Sequence, residues 1–575
     1  MSNSKEYIVT LHKFEDLEDF YNDMESAGGG LYIPNRNVEV FLRRPISKNT
    51  HYMLTDEEAT ILRNDSRVLA VTLNPKDAGV SARPVWVQNS NNWSKSFFNN
   101  PNDANWGILR CYEGVNRANW GYDATENQSG EVNINASGKN VDIVIVDGHI
   151  DPEHPEFAVN VNGTGGSRVV QYNWFQHTSA VTGGGEPNGT YVYSPYIGVD
   201  ADSDSGNNHG THVAGIAAGN TVGWARDANI YNICPYDYNT NFSSGVLDVT
   251  LIYDYIAYWH THKPINPKTG QRNPTIINNS WASSIYLNSY EAISNITYRG
   301  VTYDGPFTIE DLKNYGIENI QEDGSFIVEY LSPYLSTDVE SGFIIGLISV
   351  GAAGNESYKI DNPYGNSPDY DNLITYVYNV LGVPISENIP YNRGATPGAA
   401  QGSICVGAIG AKTSNPPGAD AKADFSNTGP RINIWAPGDL ISSAVLSAIA
   451  GTEDGYDTPV ADNRNNYYYK TKISGTSMAC PQVTGLLSCF LEADIRSNLD
   501  ELDTFIKKTS TYNQIPNIDG GPSELYNLQN APNRYLAYKE QRPSKGVSYP
   551  KLNLKARPTT GQVWPRPNIF RYGTQ

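Results

Sequence analysis

Apolar and polar positions along the chain fall into two regimes. In the first 77 residues, Tyr7-Ile8-Val9-Thr10-Leu11 is a β-rich run. Phe14, Leu17, Phe20, Tyr21 and Met24 follow at helical spacing. Val38 to Leu42 alternates like a strand, and Thr55-Asp56-Glu57-Glu58 opens a second helix with a hydroxyl and a carboxylate placed for reciprocal capping. Val68-Leu69-Ala70-Val71-Thr72-Leu73 closes as a strand. The order is β-α-β-α-β, with an extra strand at Leu31-Tyr32-Ile33, and it predicts a small sheet with two helices on one face. From about Asn105 to Tyr538 apolar runs alternate with helical patterns. Val141 to Val146 is apolar except for Asp142, as a strand covered on both faces of a parallel sheet must be. Thr275-Ile276-Ile277, Ile344 to Val350 and Ser403 to Val406 look similar, so this is an α/β body.

Composition narrows the classes. With 39% apolar and 18% charged residues, the 575-residue chain has enough apolar surface for a large core. The absence of a short repeat or heptad run excludes collagen, coiled coil and solenoid. The net charge of −20 argues against general nucleic-acid binding. Five cysteines are too few for a disulfide framework and read as reduced, buried thiols. No signal segment and no bilayer-length apolar stretch is visible, so no membrane contact is expected and synthesis in a cytoplasm is. Residues 539–575 differ: eight basic residues stand against Glu540 alone, and five prolines forbid long helix. This basic arm carries +7, leaves −27 on the rest, and implies an acidic protein partner.

Three separated motifs carry chemistry. In Val144-Ile145-Val146-Asp147-Gly148-His149 an Asp ends a buried strand, where functional groups of open α/β sheets gather. In His209-Gly210-Thr211-His212 a histidine, the natural proton shuttle near neutral pH, opens an apolar helix. In Gly475-Thr476-Ser477-Met478-Ala479-Cys480-Pro481 small residues surround a serine at a helix start.

Together these motifs resemble the subtilisin-like serine proteases (subtilases, peptidase family S8) over roughly residues 105–535. The Asp, His, Ser chain order resembles that of the subtilisins. The resemblance implies a parallel sheet with helices on both faces and a serine endopeptidase acting on polypeptides without a cofactor. It implies that Asp147 orients, His209 is the base, Ser477 the nucleophile, and His212 a structural second histidine. Gly351-Ala352-Ala353-Gly354-Asn355-Glu356 resembles the oxyanion segment, with Asn355 as donor. Asn279-Ser280-Trp281 resembles the strand that binds extended substrate, which places Ser280 and Gly354 beside the substrate. The N-terminal module resembles the inhibitory propeptide, a ferredoxin-like α+β fold whose extension, Gly79–Arg83, would lie in the cleft and be cut. The implied organisation is a propeptide-like domain 1–77, a linker 78–104, a catalytic domain 105–538 with an insertion 283–333, and the basic arm 539–575.

Departures from the family pattern matter. Gly148 and His149 follow the catalytic Asp where a hydroxyl residue is usual, and Gln482 stands where the family has His. Asp200, Asp202 and Asp204 are spaced like an incomplete calcium loop, the competing reading being a solvated acidic turn. The rival to an enzyme is a binding protein that keeps the scaffold inside a larger assembly such as a virion.

Overall fold

The pattern of buried positions sorts the central strands onto two cores. In Asp142–Val146, Ile143 and Ile145 enter one hydrophobic cluster and Val144 and Val146 the other. A strand buried on both faces must be apolar at every position, hence the continuous run. In the computed structural model the described residues are 4–31, 39–44, 47–74, 80–84, 105–114, 134, 136–170, 172, 174, 205–234, 249–317, 320–363, 367–380, 383–414, 419–445, 460–493, 505–516 and 528–538. Among them the main sheet runs Ser510–Tyr512, Arg534–Leu536, Ile434–Pro437, Ser403–Ser414, Leu347–Ala352, Thr275–Asn279, Asp142–Val146, Asn229–Ile233. All neighbours in that order are parallel except the first pair. The helices Ser205–Ala218 and Thr476–Ala493 belong to one face, and Ile252–His262 and Pro333–Ile344 to the other. This is the expected α/β architecture.

The N-terminal strands pair in the order Glu39–Arg43, Asn49–Leu54, Lys5–Leu11, Val68–Leu73. With the helices Leu17–Glu25 and Asp56–Arg63 this is β-α-β-β-α-β. The capping box is present: Thr55 Oγ1 accepts from Glu58 N, and Glu58 Oε2 accepts from Thr55 N at 2.7 Å. The fourth strand is Asn49–Leu54, not Leu31-Tyr32-Ile33, of which residues 32 and 33 lie outside the described residues. Asn49, Thr50 and His51 hid this strand because they are polar yet buried. Asn49 Nδ2 donates to Asp338, and His51 Nδ1 meets Glu6 at 2.7 Å.

Both faces of strand Lys5–Leu11 are covered. Tyr7, Val9 and Leu11 pack into the module's own core, whereas Ile8 joins the body's second cluster with Trp281 and Tyr334. Between the domains Arg44 is fully buried, Nε donating to Asp254 at 2.6 Å and Nη2 to Asp338 at 2.8 Å.

The segment that interrupts the body after Ser280 builds its own small core. Strands Ile293–Tyr298 and Val301–Asp304 continue a sheet with Leu373–Val380 and Val383–Pro390, and Leu287, Phe326, Val328, Ile374 and Tyr391 pack together. The hairpin 373–390 comes from far along the chain, and its reading as part of this unit has no signal in local spacing. Strand Trp281–Leu287 lies between Phe326–Glu329 and Val80–Pro84, both antiparallel to it.

Candidate active site

The parallel strands deliver their carboxyl ends to one place. Asp147 follows Asp142–Val146, Ser280 follows Thr275–Asn279, and Gly354 and Asn355 follow Leu347–Ala352; these three strands are consecutive in the sheet. Asp147, His209, Ser280 and Ser477 are all buried.

Asp147 Oδ1 meets His209 Nδ1 at 2.7 Å. The doubt raised by Gly148 resolves through the backbone: Gly148 N donates to the same oxygen at 2.7 Å. Gly210 permits close approach of the helix that carries His209 to this turn, since a Cβ on Gly210 would meet Gly148 O at 2.1 Å. Thr211 Oγ1 receives Asp151 N at 3.0 Å, and Asn232 Nδ2 donates to Gly148 O at 3.1 Å, so the turn after Asp147 is fixed from two sides. His212 is a different kind of histidine. Burial pushes its imidazole down to about 3, and its Nε2 lies 3.1 Å from Thr471 O, so it stays neutral and structural.

Ser477 stands in the first turn of helix Thr476–Ala493. Its Oγ donates to Ser280 O at 3.0 Å, and Ser280 Oγ donates back to Ser477 O at 2.8 Å. This reciprocal pair joins the nucleophile candidate to the substrate-strand candidate. Gln482, on the same helix, accepts from Trp224 Nε1 at 2.7 Å and donates to Asn105 at 3.0 Å, a buried brace.

Asn355 Oδ1 accepts from both Thr476 N and Thr476 Oγ1 at 2.9 Å. Thr476 Oγ1 in turn accepts Gly354 N at 3.2 Å. With its oxygen held this way, the amide turns Nδ2 outward, and that buried nitrogen has no hydrogen-bond partner. A buried donor without an acceptor is costly unless a ligand supplies one.

The segment Val80–Pro84 lies along strand Trp281–Leu287, with Val80 opposite Ile285 and Pro84 opposite Trp281. Its end nearest Ser280 is therefore Pro84, one residue beyond the expected Gly79–Arg83 window. Asp200, Asp202 and Asp204 lie outside the described residues, as does the arm 539–575. Among the described residues no group of three or more His, Cys, Asp or Glu is placed to hold a metal ion. A small cavity bounded by Ile317, Val328, Glu329, Tyr358 and Tyr391 has room for about one water and is no substrate site. Sequence reasoning missed Thr476 as the group that aims Asn355, although it stands inside the Gly-Thr-Ser motif.

Residues 138–526 match the subtilase family. The chain belongs to that family. It is 24% identical to alkaline protease 1 of Aspergillus flavus over 60% of this chain and 62% of that protein. It is 35% identical to a subtilisin-like protease of Coccidioides posadasii over 24% of this chain and 27% of that protein. The chain thus spans less than two thirds of the length of these relatives. Among solved structures, fervidolysin from Fervidobacterium pennivorans, a keratinolytic enzyme related to subtilisin, matches 93% of this chain and 60% of its own at 17% identity, TM-score 0.45. A cold-adapted subtilisin-like serine proteinase matches 76% and 98% at 18% identity, TM-score 0.38. Among the described residues no helix of this subtilase is long and apolar enough to cross a membrane.

Proposed function

We propose that the protein is a serine endopeptidase in which Ser477 attacks a peptide carbonyl, His209 takes its proton, and Asp147 holds the imidazole. The observation that carries this reading is the pairing of the Asp147–His209 contact at 2.7 Å with the buried, unpartnered Asn355 Nδ2. A carbonyl oxygen that becomes an oxyanion supplies the acceptor that Nδ2 lacks, and the backbone N–H of Ser477 is the second donor. Asp147 fixes the Nδ1–H tautomer, leaving Nε2 to act as base, and stabilises the imidazolium that forms. His209 then protonates the leaving amine, and water releases the acyl group from Ser477. These steps use side chains and backbone only.

The N-terminal domain is the chain's own first partner in this reading. Val80–Pro84 occupies the edge of Trp281–Leu287 that an extended substrate would use, which supports an inhibitory role.

The test is a fluorophosphonate label mapped to its residue, with hydrolysis of unstructured peptides measured beside it. Label on Ser477 and hydrolysis of the peptides are expected. Ser477→Ala and His209→Ala should each remove nearly all turnover, and the double variant should be little worse. Asp147→Asn should lower kcat by about 10⁴ through the wrong tautomer. Protein freed of its N-terminal domain that neither labels nor cuts would refute the reading.

A further inference from the structure

The strand beside the one that ends in Asp147 carries a polar side chain on a face that is otherwise apolar. Asn232 lies on Asn229–Ile233, opposite Ile145 in the parallel ladder, and shares a strand face with Ile230. Ile230 packs in the same core as Val213 and Ala214 of helix Ser205–Ala218, the helix that carries His209. Asn232 is only 3% exposed there. Its main chain is tied down, since Asn232 O accepts from Trp174 Nε1 at 2.9 Å. Its Nδ2 donates to two carbonyls, Ile145 O and Gly148 O, each at 3.1 Å. A reversed amide would set its oxygen against both, so the two carbonyls decide its orientation. Oδ1 is then buried and accepts no hydrogen bond among the described residues. An apolar side chain of similar size would avoid that cost, so packing alone does not account for an asparagine at this position.

The two carbonyls bracket Asp147. Asp147 N donates to Ile233 O at 3.0 Å, so strand Asn229–Ile233 grips the chain before, at and after the carboxylate residue. Gly148 brings no side chain to hold the turn, and glycine is the most permissive residue in backbone conformation. Yet Gly148 N donates to Asp147 Oδ1, the oxygen that meets His209 Nδ1. Gly148 O also lies where the turn touches the helix, against Gly210. Holding Gly148 O therefore holds the peptide that aims the carboxylate at the imidazole. We infer that Asn232 is a positioning residue for the Asp147–His209 pair and acts on the reaction through Asp147. This rests on the endopeptidase reading above. The side-chain hydrogen bonds of Asn232 reach none of Ser280, Gly354 and Asn355, so its effect falls on the chemical step and not on substrate binding.

The test is a double-mutant cycle on the full chain, with steady-state hydrolysis of one fluorogenic peptide. Asn232→Leu keeps the volume and removes the donor. Alone it should lower kcat by about 10–10²-fold, the cost of a small misplacement in a site of this kind, with KM within about twofold of wild type. In the Asp147→Asn background the same change should alter kcat by less than about twofold, because a residue that acts through Asp147 has nothing left to position. A general loosening of the sheet would give the same fold-loss in both backgrounds, and that result overturns the inference. So does an unchanged kcat in the single variant, or a KM that rises as kcat falls. If Asn232→Leu does not melt cooperatively, Asn232→Ala replaces it under the same criteria, and failure of both to fold makes Asn232 a structural residue and overturns the inference. Failure of wild type to cut the peptide or to label at Ser477 refutes the endopeptidase reading itself, whereas a wild type that labels and cuts leaves the cycle to decide on Asn232 alone.

Discussion

Thr476 and Asn355 form the most exacting contact of the site. The Asn355 amide could present either its oxygen or its nitrogen outward, and the two donors of Thr476 settle which. Removing the amide should cost much more than removing one of its anchors. Asn355→Ala is expected to lower kcat by about 10²–10³ with KM little changed, because the contact forms only as charge develops on the substrate oxygen. Thr476→Val keeps the backbone donor and loses the hydroxyl, so a fall of about tenfold, the worth of roughly one hydrogen bond, is expected. Steady-state kinetics on one peptide checks both. A larger loss in Thr476→Val than in Asn355→Ala would show that Thr476 acts on the substrate directly and not through the amide.

At the scale of elements, the clamp between the N-terminal domain and the body is the feature with the clearest energetic consequence. Arg44 reaches Asp254 on helix Ile252–His262 and Asp338 on helix Pro333–Ile344, while Ser47 Oγ and Asn49 Nδ2 donate to Asp338 as well. Removing Arg44 leaves two carboxylates buried together, and loss of one member of such a group costs roughly 3–5 kcal/mol. Arg44→Ala, made in the Ser477→Ala background to prevent self-digestion, should therefore release the N-terminal domain at lower denaturant. Burial, and secondarily Asp338, raises the Asp254 carboxyl to about 6 against the pull of Arg44. Its value falls to the ordinary carboxylate range when the domain leaves and water returns. Protons thus favour docking: this contribution is complete below about pH 4 and is lost as pH rises through about 6. Release should need less denaturant at pH 8 than at pH 5, and Asp254→Asn should flatten that difference. None of this clamp was legible in the sequence, because Arg44, Asp254 and Asp338 have no common spacing and meet only through tertiary structure. What was legible had a local cause. The runs of the central sheet, the Thr55–Glu58 box and the three motifs around Asp147, His209 and Ser477 each show in a few consecutive residues. Strand Asn49–Leu54 failed that standard because its polar residues are buried by partners far away, and the hairpin 373–390 because its sheet is completed by residues before 305.

At the scale of the whole molecule, the N-terminal domain and the body share a core, through Ile8, and a strand ladder, through Val80–Pro84. If Ser477 is a working nucleophile, a chain laid along Trp281–Leu287 is a substrate already bound. A substrate held by an antiparallel ladder and ending near Ser280 should be cut just beyond the paired residues, so the break is expected at or shortly after Pro84. Cutting there removes one covalent link and none of the contacts of the Arg44 clamp or of Ile8. The two pieces should therefore stay together at neutral pH and occupy the cleft as product. Three measurements on freshly purified protein check this in combination. Denaturing mass analysis should show two fragments for wild type and one full-length chain for Ser477→Ala. Native size exclusion should show the same elution for both. Peptide hydrolysis by wild type should begin after a lag that shortens when Arg44→Ala is introduced, since weaker docking frees the cleft sooner. A wild-type chain that stays whole and hydrolyses peptides at full rate from the start would show that Val80–Pro84 does not block the cleft. The N-terminal domain would then be a stabilising partner of the body and not its inhibitor.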